Sequence, residues 1–165
     1  MAIFQENDNN NQRLDWRILQ NGWASLYWKE IYLNGDIEWF KKEKYSVIDF
    51  DCKAWNNHAE MHKQLREKLD FPAYYGENLD ALNDCLSDIE IKNAGLVIVF
   101  RHLDNLDKDT REGLLDTFAD NARRQLLFGN RLIILLQVDN PDFEISVAAS
   151  PVIWNGAEWL ISKRQ

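Results

Sequence analysis

Two stretches of the chain are apolar at almost every consecutive position: Gly95-Leu96-Val97-Ile98-Val99-Phe100, and Leu132-Ile133-Ile134-Leu135-Leu136 after Arg131. Unbroken runs of this length predict strands covered on both faces. Tyr45-Ser46-Val47-Ile48-Asp49-Phe50 predicts a third strand. Between the strands the apolar spacing turns helical. Asn57, followed three residues later by Glu60, marks a helix start, and Met61, Leu65 and Leu69 recur at fourfold spacing until Pro72 closes the helix. A second helix is predicted to start near Asn78, with Leu79, Leu82 and Leu86 facing inward. Leu103 to Leu106 adds a short helical turn. Thr110 to Leu127 predicts a longer helix with Leu114, Leu115, Phe118, Ala122 and Leu126 inward, ended by Gly129.

Strand, helix pair, strand, helix, strand is an α/β order, and right-handed crossovers make it a small three-stranded parallel sheet packed with helices. The ends predict something different. From Trp23 to Lys44, Leu26, Trp28, Ile31, Tyr32, Ile37, Trp39 and Phe40 flank Asn34-Gly35, a pair suited to a two-residue turn, so a β-hairpin is expected. Val152-Ile153-Trp154, Asn155-Gly156 and Trp159-Leu160-Ile161 predict a second hairpin. Neither would be stable alone, so each is expected to lay its rings on the domain. The resulting division is a flexible lead over 1–13, an N-terminal hairpin extension over 14–44, an α/β domain over 45–137, and a C-terminal extension with a hairpin over 138–165. The polar stretch Glu6 to Gln12 is expected to be loose.

Composition narrows the function classes. The 165 residues, 45% of them hydrophobic, can bury one sizeable core. Nineteen basic residues against 27 acidic ones leave a net charge of −8, and the pI is near 4.9. That surface disfavours direct nucleic-acid or membrane binding and speeds encounter with a basic protein. No apolar run approaches a membrane span, and the start lacks a basic region followed by an apolar one, so a cytoplasmic location is expected. Cys52 and Cys85 are too few for a disulfide scaffold and are expected as buried free thiols.

The most informative chemistry lies between Leu69 and Ile91, which carries Asp70, Glu77, Asp80, Asp84, Asp88 and Glu90 and no Lys, Arg or His. Glu77, Asp80, Asp84 and Asp88 share the helix side opposite the leucines. Like charges four apart cost roughly 0.2–0.5 kcal/mol per pair, and no interleaved cation relieves them. The helix dipole favours Asp80 but not Asp84 or Asp88. Such a face is expected to meet something positive. A catalytic pair, Asp80 with Asp84, is the enzymatic alternative, but no His lies in the segment. His58 and His62 are four apart, yet Ala59 follows the first, so the zincin order is absent and two exposed helical histidines are expected. Trp23, Trp28 and Trp39 near Lys41, Lys42 and Lys44 could stack bases, but Glu30, Asp36, Glu38 and Glu43 dilute the charge. No catalytic residue, metal or cofactor is predicted.

Pro72-Ala73-Tyr74-Tyr75-Gly76-Glu77-Asn78-Leu79-Asp80-Ala81-Leu82-Asn83-Asp84-Cys85-Leu86 resembles the signature of the barstar family, intracellular inhibitors of a secreted ribonuclease. A weaker resemblance runs from about Tyr45 to Gln137. It implies the three-stranded parallel sheet described above and a loop and helix that plug a ribonuclease cleft. Family contact positions fall on Tyr74, Asn78, Asp80 and Asp84, with Asp84 entering the phosphate pocket and Gly76 letting the backbone come close. Asn83 stands where barstar has a tryptophan, and Ile89 lies close to another. The later acid that barstar contributes corresponds to Asp120. The expected partner-binding set is therefore Tyr74, Gly76, Asn78, Asp80, Asn83, Asp84, Asp88 and Asp120. The expected partner is a basic ribonuclease, secreted or a toxin of the same or a competing cell, with this chain monomeric when free. The alternative is a non-inhibitory adaptor that uses the same fold and its Trp-rich hairpins.

Overall fold

A computed structural model describes residues 13–145 and 152–165. The predicted strands form as a parallel ladder: β2 (Tyr45–Asp51) pairs with β3 (Gly95–Arg101), which pairs with β4 (Leu132–Gln137). The register places Tyr45 beside Gly95 and Leu96 beside Leu132. Alternation along the strands sends side chains to two separate cores. Leu96, Ile98, Phe100, Leu132, Ile134 and Leu136 enter one, and Val97, Val99, Ile133 and Leu135 enter the other. On the first face lie α3 (His58–Lys68), α4 (Leu79–Ser87) and α5 (Lys108–Leu127), which contribute Met61, Leu65, Leu82, Leu86, Leu114 and Phe118. Short 3-10 turns follow β2 at Cys52–Ala54 and β3 at Leu103–Asn105, the second as the sequence predicts.

The terminal segments belong to the same sheet, and neither forms a hairpin. Between α1 (Leu14–Gln20) and α2 (Glu30–Lys42), β1 (Ala24–Tyr27) runs parallel to β4, with Ala24 beside Ile134. The two-residue β5 (Ile153–Trp154) pairs in parallel with β1, giving the order β2-β3-β4-β1-β5. The expected turn at Asn34-Gly35 lies inside α2. Leu33, Ile37 and Phe40 are buried at helical spacing, and that stripe outweighs the turn preference of one dipeptide. Asn34 points its Oδ1 at Arg101 Nη2 (2.8 Å), and Arg101 also holds Asp49 of β2 and Glu30 at the start of α2. Thus α1 and α2 form a layer over the second core, supplying Ile18, Leu33, Ile37 and Phe40. Asp15, fully buried in α1, fixes that layer to β2 by accepting from the Tyr45 hydroxyl (2.6 Å) and from Arg13 (3.0 Å).

The C-terminal strand is likewise not folded back on itself. Asn155 donates to Leu26 O (3.0 Å) and to Glu158, while buried Glu158 accepts from the main-chain N–H groups of Trp28 and Lys29 at the entry to α2 (both 3.0 Å). After Asn155-Gly156 no strand among the described residues returns to pair with β5, which is hydrogen-bonded to β1 instead. Residues 161–164 form a 3-10 turn in which Arg164 lies over Trp154 and donates to Pro141 O. Trp23 is buried, Trp28 Nε1 donates to Asp139 O, and Trp39 lies under Arg13, so the three rings form no common platform. The expected loose lead over 1–13 lies outside the described residues except for Arg13.

Gly35 has no side chain within 4 Å of where a Cβ would stand and sits in a helix interior. Gly35→Ala is therefore expected to raise stability by about 0.5–1 kcal/mol, measured by denaturant unfolding; a loss would restore the turn at this position.

Candidate functional site

The loop from Leu69 to Asn78 is anchored from below and exposed above. Phe71 and Tyr75 are buried, with rings 5.1 Å apart, and the Tyr75 hydroxyl lies 2.6 Å from Nδ1 of His62 on α3. Its spacing from His58 predicts His62 at the surface. It is buried instead, because the position one turn after His58 faces the loop rather than solvent. His58 is exposed, with its Nε2 2.7 Å from Thr110 Oγ1. Burial holds the His62 ring below its ordinary pKa, with Glu77 opposing this and His58 reinforcing it. Between its two buried rings the loop turns at Pro72, whose carbonyl accepts from Tyr75 N (3.0 Å), and Tyr74 is left 85% exposed. The strained backbone positions are Asp70, at φ 54°, and Glu77, at φ 53°, rather than Gly76, which has no positive φ and where an added Cβ would make only ordinary contacts.

Helix α4 follows directly. Asn78 caps it: Oδ1 accepts from Ala81 N (2.8 Å), and Nδ2 donates back to Gly76 O (3.2 Å). Both ends of that side chain are thus engaged within the chain. Leu82 and Leu86 are fully buried, each contributing about 2 kcal/mol of burial, which outweighs the repulsion among the acids by several-fold. Leu79, expected inward, is 38% exposed because it lies along α5, where a Cβ on Gly113 would stand 2.7 Å from its Cδ1. Cys52 is buried as expected, whereas Cys85 is only half-buried. Burial, reinforced by Asp84 and Asp88, raises the Cys85 thiol pKa.

The outer face of α4 carries Asp80, Asp84 and Asp88, all exposed and none in an ion pair among the described residues. No basic residue occupies the last turn of the helix, where Asp88 stands at the negative end of the dipole. Asp80 and Asp84 line neither of two surface grooves of about 400 and 420 Å³, the second of which runs beside the loop past Tyr74, Phe71 and Ile89. Among the described residues no group of three His, Cys, Asp or Glu is placed to hold a metal ion, and no helix is long and apolar enough to cross a membrane.

The family described as Barstar (barnase inhibitor) matches residues 45–137, more than half of the sequence. The chain belongs to the barstar family. It is also 52% identical over 40 residues to the Bacillus subtilis (strain 168) protein named "Putative ribonuclease inhibitor YrdF", an alignment spanning 24% of this chain and 44% of that relative's length. A solved chain from the Drosophila ORC assembly with AT-rich DNA and Cdc6 aligns over 74% of this chain and 42% of its own, at 16% identity and a TM-score of 0.48. That likeness is too distant to bear on fold or function.

The barstar segment ends two strands short of the sheet's full width on the β4 side, where β1 and β5 continue the ladder beyond it. Of the positions expected to meet a partner, Tyr74, Asp80, Asp84 and Asp88 stand out from the loop and α4, and Asn78 serves as the cap. Asn83 is half-buried and accepts from Asn121 Nδ2 of α5 (2.9 Å). Asp120, exposed on α5, lies 3.6 Å from Arg123, so its charge is partly met within the chain. Two contributors escaped the sequence reading, His62 and Asn121. Asn121 could have been found, because it falls on the inward stripe of α5 with Phe118, Ala122 and Gln125.

Because the folded state holds His62 neutral below its ordinary pKa of 6.5, the unfolded chain binds the proton first as the pH falls. The associated stability is full above that value and is lost as the pH drops from there through the lowered folded value. His62→Gln should therefore flatten the fall in stability between neutral and mildly acidic pH, measured by urea unfolding across that range. An unchanged slope would assign the acid sensitivity to other groups.

Proposed function

We propose that this barstar-family protein inhibits a basic ribonuclease by placing the loop around Tyr74 and the acidic face of α4 in its active-site cleft, where the carboxylates occupy the ground of RNA phosphates. The carrying observation is the row of Asp80, Asp84 and Asp88, exposed and without an ion pair among the described residues, on a helix that buries Leu82 and Leu86 on its other side. Like charges held this close are unfavourable until a cation meets them. In a nuclease cleft, Arg, Lys and His converge on the phosphate, and a carboxylate there receives charge-assisted hydrogen bonds from the same groups. Asp84 is assigned the phosphate pocket, Asp80 the ground beside it and Tyr74 the rim, with Asp88 and Asp120 at the periphery. The buried anchors Phe71 and Tyr75 and the cap Asn78 hold this surface in shape before binding, which lowers the ordering cost on association.

The adaptor alternative keeps one observation, the exposed Trp159 and Ile161 near the C terminus, far in sequence from the acidic face. The two readings diverge in a cleavage assay. Titrated into barnase and other basic, guanine-preferring ribonucleases, the protein should abolish RNA cleavage at one equivalent. Asp84→Ala should weaken inhibition about 100-fold or more, as when one partner of a desolvated ion pair is removed. Asp88→Ala should change it by only a few-fold, as for a solvent-exposed charge. Added salt should slow association. No effect on any ribonuclease tested would favour the adaptor, and equal losses for Asp84→Ala and Asp88→Ala would refute the assigned pose.

A further inference from the structure

The amide of Asn121 is buried between α5 and α4, and its polarity is dictated by its neighbours. One of its terminal atoms lies 2.9 Å from the main-chain oxygen of Thr117 and 2.9 Å from the Asn83 side chain. A main-chain carbonyl can only accept, so that atom is Nδ2, and the Asn83 atom facing it is Oδ1. The choice made at Thr117 is thus passed through Asn121 to Asn83. Asn83 Nδ2 is left on the side away from Asn121, without a hydrogen-bond partner among the described residues, on the helix that carries Asp80 and Asp84.

The arrangement has a cost. Asn121 Oδ1 is buried and accepts no hydrogen bond, a state that lowers stability and that an apolar side chain of similar size would avoid. Neither core requires an amide here, since Phe118, Ala119 and Ala122 beside it are apolar. What the amide achieves is the orientation of Asn83.

We propose that Asn121 is a positioning residue and that Asn83 Nδ2 is a specificity-determining donor set within the acidic face, which the partner must meet with an acceptor oxygen, a main-chain carbonyl or a carboxylate. This rests on the reading of α4 as the ribonuclease-binding face. A basic enzyme that presents only cations opposite Asn83 leaves this N–H2 desolvated and unpaired, so the donor selects among enzymes that the carboxylates alone would all attract.

Asn83→Asp separates donor recognition from charge, because it keeps the oxygen that Asn121 needs and replaces the outward N–H2 by a second carboxylate oxygen. With barnase as the probe and binding measured by calorimetric titration, affinity should fall about 10-fold or more, as for a buried hydrogen bond exchanged for two facing acceptors. A surface that reads charge alone would bind equally or more tightly, and that result overturns the proposal. Asn121→Leu should melt at the same or a higher temperature yet bind more weakly, and the loss should vanish in an Asn83→Ala background. Unchanged affinity, or an undiminished loss in that background, would overturn the positioning role. Asn83→Asp alters a helix surface and keeps the test decisive should Asn121→Leu fold poorly. Failure of the underlying reading looks different: the unsubstituted chain does not bind, or Asp84→Ala is without effect.

Discussion

Strands β3 and β4 bury every side chain from Leu96 to Phe100 and from Leu132 to Leu136, and the rest of the structure answers that burial. A parallel sheet apolar on both faces is stable only when helices cover both. Helices α3, α4 and α5 cover one face, and α1 and α2 cover the other. The open side of β4 needs cover too, and β1 supplies it through a ladder from Ala24 to Tyr27. The N-terminal segment is therefore a second layer and a further strand of one sheet. The C-terminal segment secures it, as Glu158 takes up main-chain donors at the entry to α2 while Asn155 holds β1.

The acidic face follows from the same packing. Once Leu82 and Leu86 are buried against the first core, the remaining side of α4 must face outward and carry its carboxylates with it. The energies rank clearly, since burial of the two leucines exceeds the repulsion among the acids several-fold, and the helix forms despite its charge. The loop before it is held by Phe71, Tyr75 and His62, so the exposed Tyr74 projects from a fixed base. The result is a charged projection held in shape by buried rings, with no cation paired to its carboxylates among the described residues, and it is this feature that the proposed function builds on.

The polar contacts between α4 and α5 add detail to that projection. Gly113 leaves room for Leu79, and Asn121 reaches Asn83. Where the family resemblance implies a large aromatic ring, this chain places a small amide whose direction is set from the next helix. A binding face can keep its charge and still change its partner through such a substitution, because hydrogen-bond polarity discriminates where net charge does not.

The α/β order, the three central strands, the caps at Asn57 and Asn78 and the acidic row on α4 are all written in local spacing. Apolar periodicity and capping chemistry act within a few residues, so the sequence by itself determines them. The ends were another matter. Asn34-Gly35 and Asn155-Gly156 carry strong turn signals, yet the first lies within a helix and the second in a bend that hooks onto α2. Whether β1 pairs with a neighbour in sequence or with β4, more than a hundred residues on, depends on which strand edge and sheet face remain uncovered. The burial of His62 and the direction of Asn83 depend likewise on residues brought near only by packing. Local sequence sets what each segment can become, and long-range burial and hydrogen-bond satisfaction select among those states, because they exist only once the chain has closed on itself.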